Sequence, residues 1–420
     1  MRPVDGVDLV SIRIHGKLAG LIPNVSECCI FKVHTQLRKV NEKAYDPVMV
    51  AIGPYHRGKD DLRLMEDHKL RYLQLLLQRR NESSVETYIK AIRELEGRAR
   101  RYYAEPISLT TDEFVEMMLL DGCFIIELFR KFARTDLRGD QCDPIFRLDW
   151  MFFNLKRDLL LFENQIPFFL LTKLLEMTEV PNHQDNLIDL AVLFFQVSLL
   201  PFGYHISASS HESFIDIEHL LALLYKSVTP PSVKIEDTKE KLNSIPSATK
   251  LQEAGVKFKK LENGSFFDIK FNNGVLEIPF FNIDDGLESI FRNLIAYEQY
   301  SQNNDLNYVT NYVSFMHDLT NSPKDVELLR QRGIIENWLS DDGAVSTMFN
   351  NLGENVILSS FCYAKIFRDV NKHCQRRKNV WMANLRHKYF NGPWALILFL
   401  AAVFLLLLAL MQTIFTVNGK

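Results

Sequence analysis

Cysteine is scarce in this 420-residue chain, with six residues and no Cys-x-x-Cys pair. That scarcity excludes a disulfide scaffold and a zinc ribbon, and leaves Cys28, Cys29, Cys123, Cys142, Cys362 and Cys374 as expected buried thiols. Net charge is scarce as well: 49 Lys and Arg against 52 Asp and Glu leave −3. No basic field draws the chain onto phosphate backbones, so nucleic acid is not an expected partner. Met1 to Gly20 shows no basic, apolar, small-residue leader pattern. No Gly-x-Ser-x-Gly elbow, His-Glu-x-x-His helix or kinase signature occurs, and no enzyme is predicted. What the chain does have is apolar material, 47% of residues, enough to bury a sizeable core.

The longest apolar run begins at Trp394 and has no charge between Lys388 and Lys420. Roughly 20 apolar residues cross about 30 Å of hydrocarbon. The run therefore predicts a transmembrane helix from Trp394 to Thr416 (394–416), a short tail at 417–420, and a lipid bilayer as partner. Asn391-Gly392-Pro393 breaks the chain before it, and Tyr389 and Trp394 suit the headgroup level. Arg376, Arg377, Lys378, Arg386 and Lys388 precede the span and only Lys420 follows. By the positive-inside rule the main domain is expected in the cytoplasm, on the plasma membrane or an endomembrane. In the opposite topology the sequons at Asn24, Asn81 and Asn263 would be glycosylation sites.

Helical periodicity dominates the rest. Segments at about Leu62 to Arg80, Ser84 to Tyr103 (capping box Ser83-x-x-Glu86) and from Thr110 (box Thr110-x-x-Glu113) each carry an apolar face. Further helices are predicted near Asn186 to Leu200, His211 to Val228, Leu287 to Tyr300, Asn307 to Leu319 and Pro323 to Gln331, the last stopped by Gly333. Pro230-Pro231 opens a polar loop at about 230–246. At about 256–281 three β-like runs separated by Asn263-Gly264 and Asn273-Gly274 predict a meander, because Asn-Gly suits a type I′ turn. The predicted fold is mainly α: an extension at 1–29, a large multi-helix domain at 30–390 with a small antiparallel β-meander, and one C-terminal transmembrane helix.

Gly53-Pro54-Tyr55-His56-Arg57-Gly58-Lys59-Asp60 nearly fits the phosphate-binding loop Gly-x-x-x-x-Gly-Lys-[Ser/Thr]. It fails at Asp60, where a hydroxyl should hold magnesium, and Pro54 removes one cradle N–H. No nucleotide is expected, and Gly53, Pro54, Tyr55, His56 and Gly58 read as a tight structural or binding loop. Cys28, Cys29, His34 and His56 match no zinc spacing, so neither metal nor cofactor is expected. Asp121, in the stripe between Met118 and Ile125, and Glu163-Asn164-Gln165, set among Leu and Phe, read as partly buried hydrogen-bonding groups. An enzyme built around one of these buried carboxylates or His56 is the alternative.

Taken together, these segments resemble the plant family named domain of unknown function 247. The resemblance rests on Ala51-Ile-Gly-Pro-Tyr-His-Arg-Gly58 with Met65-Glu66 and Lys69, on Asp121-Gly-Cys-Phe-Ile-Ile-Glu-Leu-Phe129, and on Asp158-Leu-Leu-Leu-Phe-Glu-Asn-Gln-Ile-Pro-Phe168. It continues through Ala248 to Phe258, Asn293 to Gln299, Gly333 to Ile335 and Tyr389 to Trp394. His34 stands where the family pattern has proline. The resemblance implies a plant single-pass membrane protein with no assigned activity, and some grass relatives are associated with self-incompatibility. The function expected is a membrane-anchored recognition or scaffold module with a protein partner.

Overall fold

The computed structural model describes residues 8–19, 28–138, 143–179, 185–199, 217–229, 244–262, 266–301, 307–358, 361–376 and 393–418. In chain order the helices are α1 (Leu9–Ala19), α2 (Thr35–Arg38), α3 (Arg63–Arg80), α4 (Glu86–Arg101), α5 (Thr111–Ala133), α6 (Pro144–Arg147), α7 (Asp149–Asp158), α8 (Phe168–Met177), α9 (Leu187–Leu199) and α10 (Leu220–Val228). They continue as α11 (Ala248–Glu253), α12 (Asp285–Tyr300), α13 (Tyr308–Leu319), α14 (Pro323–Gln331), α15 (Asp342–Leu352), α16 (Ala364–Cys374) and α17 (Pro393–Asn418). The strands are β1 (Lys257–Leu261), β2 (Lys270–Asn272), β3 (Val275–Pro279), β4 (Phe281–Ile283) and β5 (Ile335–Asn337).

The chain falls into two compact units. The first comprises Met1–Val197, Ser207–Lys226 and Arg292–Gln302, and the second Ser198–Ile206, Ser227–Phe291 and Asn303–Lys420. In the first unit α5 is the central element, buried on every face from Met117 to Lys131 and packed by α3, α4 and α8. Its expected capping box forms: Thr110 Oγ1 accepts the Glu113 N–H at 3.3 Å and Glu113 accepts the Thr110 N–H at 2.8 Å. The box expected at Ser83 does not form. α4 begins at Glu86, so that residue occupies the first turn position rather than the third, and Ser84 Oγ accepts its N–H instead. α3 buries Met65, Tyr72, Leu73 and Leu76 on the face that the periodicity selects.

The second unit is built around Tyr312 on α13, ringed by Phe266, Phe267, Phe281 and Phe291 with centroids 4.4–6.2 Å away. Gly333, at φ +68°, ends α14 as expected. The antiparallel meander requires correction. β1 pairs parallel with β3, in the order β1-β3-β2, and only β2 and β3 form a hairpin. The connection from β1 to β2 carries Phe266, Phe267 and Ile269, all buried. Their burial draws the chain into the core, so β2 does not fold back beside β1. Asn273-Gly274 does make the turn, with φ of 50° and 80°. Asn263-Gly264 lies outside the described residues, as do 230–243 of the polar loop. β4 pairs parallel with β5.

The membrane expectation is also corrected. α17 covers the C-terminal apolar run. Among the described residues no helix is long and apolar enough to cross a membrane. This overturns the transmembrane helix from Trp394 to Thr416, and with it the single-pass membrane localisation.

Gly122 lets α5 and α8 approach closely, since a Cβ there would overlap Leu174 Cδ1. Gly122→Ala is therefore expected to lower the unfolding free energy by no more than about 2 kcal/mol, the overpacking against the end of Leu174 being offset by the ~1 kcal/mol that alanine gains over glycine within a helix, measured by urea titration.

Candidate functional site

Residues Met49 to Gly53 are buried with no strand beside them, after exposed Val48, and the chain bends at Val48, Met49 and Gly53. Buried main-chain donors and acceptors need partners, and here side chains supply them. Asp158, the last residue of α7, accepts the N–H groups of Val48 at 2.9 Å, Met49, and Val50 at 3.0 Å. Asn164 accepts the Ile52 N–H at 2.7 Å and donates to the carbonyls of Val50 and Asp158, both at 2.9 Å. Asp121, from α5, accepts the Gly53 N–H at 2.8 Å. Lys69, from α3, donates to Ala51 O at 2.6 Å and pairs with Asp121 and Glu66, each at 2.6 Å.

Gln165 braces the same loop. Its Nε2 donates to the carbonyls of Leu159 and Leu161, and its own carbonyl accepts the Tyr103 hydroxyl at 3.0 Å. That carbonyl lies where a Cβ on residue 53 would stand, 2.5 Å away, and Gly53 has φ +73°, so position 53 requires glycine. Burial pushes the carboxyls of Asp121 and Asp158 upward, and Lys69 and the N–H donors oppose it without cancelling it.

Past Gly53 the loop turns to His56, which is 3% exposed. Its Nε2 is 3.4 Å from Glu163 Oε2 and its Nδ1 3.8 Å from Asp46 Oδ1. Neither ring nitrogen meets hydrogen-bond geometry with a partner among the described residues. Glu163 is held by the Val33 N–H at 2.7 Å and Arg38 at 2.8 Å, and Asp46 by Arg38 and Lys59. Tyr55 donates to Ile30 O at 3.1 Å and packs edge-on to Tyr103, while Pro54 is half-buried and Gly58 turns the chain at φ +82°.

The loop candidates thus converge with Asp121 and with Glu163-Asn164-Gln165. Cys28, Cys29, His34 and His56 form no metal set: among the described residues no three His, Cys, Asp or Glu side chains could hold an ion. Asn81 terminates α3 in the left-handed region at φ 54°, and Asn24 and Asn263 lie outside the described residues. Sequence reasoning did not assign roles to Asp158 or Asn293. Asn293 Oδ1 accepts the Phe162 N–H and its Nδ2 donates to Ala44 O. The sequence signal was slight, since Asp158 follows Lys156-Arg157 and Asn293 follows Arg292.

His219 was missed as well. It is fully buried against Phe162 and Tyr297, its Nδ1 accepts the Ala222 N–H at 3.2 Å, and burial holds it down at about 3.

Asp158→Asn replaces a carboxylate that accepts three N–H groups by an amide with one acceptor atom and an NH2 facing donors. A loss of about 2–4 kcal/mol in denaturant titration is expected. For His219 the folded state favours the neutral ring. Stability from this group is complete above the unfolded value of 6.5 and falls as pH drops toward 3, by up to about 1.4 kcal/mol per pH unit. His219→Asn keeps a helix-capping acceptor, so urea titrations from pH 7 to 4 should show a shallower acid loss than the parent chain.

Among known proteins, the chain is 31% identical to the UPF0481 protein At3g47200 of Arabidopsis thaliana, over 92% of this chain and 85% of the relative. It is 25% identical to the putative UPF0481 protein At3g02645 of the same plant, over 91% and 89%. No solved structure matches significantly. The family model described as a plant protein of unknown function matches residues 30–408. With that coverage, and a relative 31% identical along most of its length, the chain belongs to the plant family named domain of unknown function 247.

Proposed function

We propose that this plant protein is a non-catalytic interaction module that engages a protein partner. The observation that carries the reading is how the polar side chains of the three motif blocks are used. Asp121, Asp158, Asn164 and Gln165 are each bonded to main chain, and Glu163 to main chain and a guanidinium. General acid or base chemistry needs a group free to exchange its proton with substrate, and these are engaged in holding a loop. The contact surface assigned by this reading is the outer face of α7. Trp150 and Phe153 are 58% and 48% exposed, next to exposed Leu148, and exposed aromatic and leucine side chains together mark interaction surfaces.

His56 supports a second, enzymatic reading, because its ring nitrogens are buried beside Glu163 without hydrogen-bond partners among the described residues. The two readings separate by mutation. Photo-crosslinker placed at position 150 or 153 in plant cells should capture a discrete protein, and Trp150→Ser with Phe153→Ser should reduce that capture at least tenfold without changing the circular dichroism spectrum. His56→Gln should leave capture unchanged. A substrate turnover abolished by His56→Gln, with capture unaffected by the α7 pair, would establish the enzymatic reading instead.

A further inference from the structure

The inner side of α3 is core, with Met65, Tyr72, Leu73 and Leu76 buried. Its outer side carries three exposed leucines, Leu64 at 66%, Leu70 at 54% and Leu75. Leucines exposed singly on a surface need no explanation, but these share one side of an 18-residue helix. They lie along an open groove of about 570 Å³, lined by Leu64, Asp67, His68, Leu70, Arg71 and Gln74. Leu64, Asp67, Arg71 and Gln74 follow the three- and four-residue spacing that makes a straight stripe along a helix.

On a merely solvated helix face Asp67 would pair with Arg71, four residues on and in the favourable acid-before-base order. On α4 the residues at that spacing, Glu96 and Arg100, do pair. Asp67 and Arg71 make no ion pair or hydrogen bond among the described residues. Two unpaired opposite charges make the stripe self-complementary. A second copy laid antiparallel, with a two-fold axis at position 69, sets Asp67 against Arg71 of the other copy and Arg71 against its Asp67. The same axis sets Leu64 against Gln74 and His68 against Leu70. Both charge pairs repeat by symmetry, as an interface between identical surfaces requires, and antiparallel helices align their dipoles favourably. A parallel copy would oppose like charges. A surface of one sign would be repelled by half of the stripe, so the face fits neither a purely acidic nor a purely basic partner.

We propose that the outer face of α3 is an interface with a second copy of this chain, the two helices meeting antiparallel through reciprocal Asp67–Arg71 pairs that cover Leu64 and Leu70. The interface uses no residue of α7, and stands without the reading of that surface.

The test is sedimentation velocity on the full chain, beside Asp67→Arg and Arg71→Asp as single variants, as an equal mixture of the two, and combined in one chain. A contact centred on one helix is small for a protein interface, so the parent chain should dimerise with a Kd of about 1–50 µM. Each single variant opposes like charges and should weaken dimerisation at least tenfold. The mixture restores both pairs across a heterodimer, and the double variant restores them in a homodimer, so each should return to within about threefold of the parent Kd. That recovery also shows that the single variants are folded. A parent chain still monomeric at ~200 µM, single variants that dimerise like the parent, or a mixture that associates no more tightly than either single variant would overturn the proposal. So would photo-crosslinker at position 64 that captures a different protein in plant cells and no second copy.

Discussion

An extended peptide buried without a neighbouring strand leaves its amides and carbonyls unpaired, each at a cost of about 1–3 kcal/mol. In this protein Met49 to Gly53 is buried with no strand beside it, and the first unit is organised around meeting that demand. Asp158, Asn164, Asp121 and Lys69 together act as the missing strand, bonding five N–H groups and two carbonyls. These four side chains come from α3, α5, the end of α7 and the loop after it, so the helices must keep their relative placement for the cradle to exist. The polar network specifies an arrangement that apolar packing alone would leave looser.

The charges follow from the same constraint. Lys69 and Asp121 are both buried, an expensive pairing unless each also has a main-chain partner, and each has one in the peptide itself. Glu163 extends the network outward through Arg38 and Asp46 to exposed Lys59. His56 is flanked by two of these acidic groups, so a change in the outer ion pairs reaches the ring directly. Lys156 stands apart: it is buried in the same unit among three phenylalanine rings, with no counter-ion among the described residues.

Much of the helical framework was legible in the sequence. The apolar face of α3, the Thr110 box of α5 and the Pro323 to Gln331 bounds of α14 are local facts, encoded within a turn or two. What was not legible is non-local. Gly53, Asp121 and Asp158 are far apart in the chain, and each block reads alone as a tight loop, a helix stripe and an apolar run. Only folding shows that the polar exceptions in the last two exist to hold the first. The parallel pairing of β1 with β3 escaped for a similar reason, since turn chemistry favours hairpins and the burial of Phe266, Phe267 and Ile269 prevailed. At the C-terminus an apolar count implied a spanning helix, and among the described residues no helix is long and apolar enough to cross a membrane.

Amide hydrogen exchange across residues 48–58 tests the cradle most directly. If side chains replace a strand, the amides of Val50, Ile52 and Gly53 should exchange as slowly as those in the middle of α5, with Gly58 orders of magnitude faster. Exchange of Val50, Ile52 and Gly53 at the rate of Gly58 would mean that the segment is an ordinary loop, and that the three motif blocks are held together by something else.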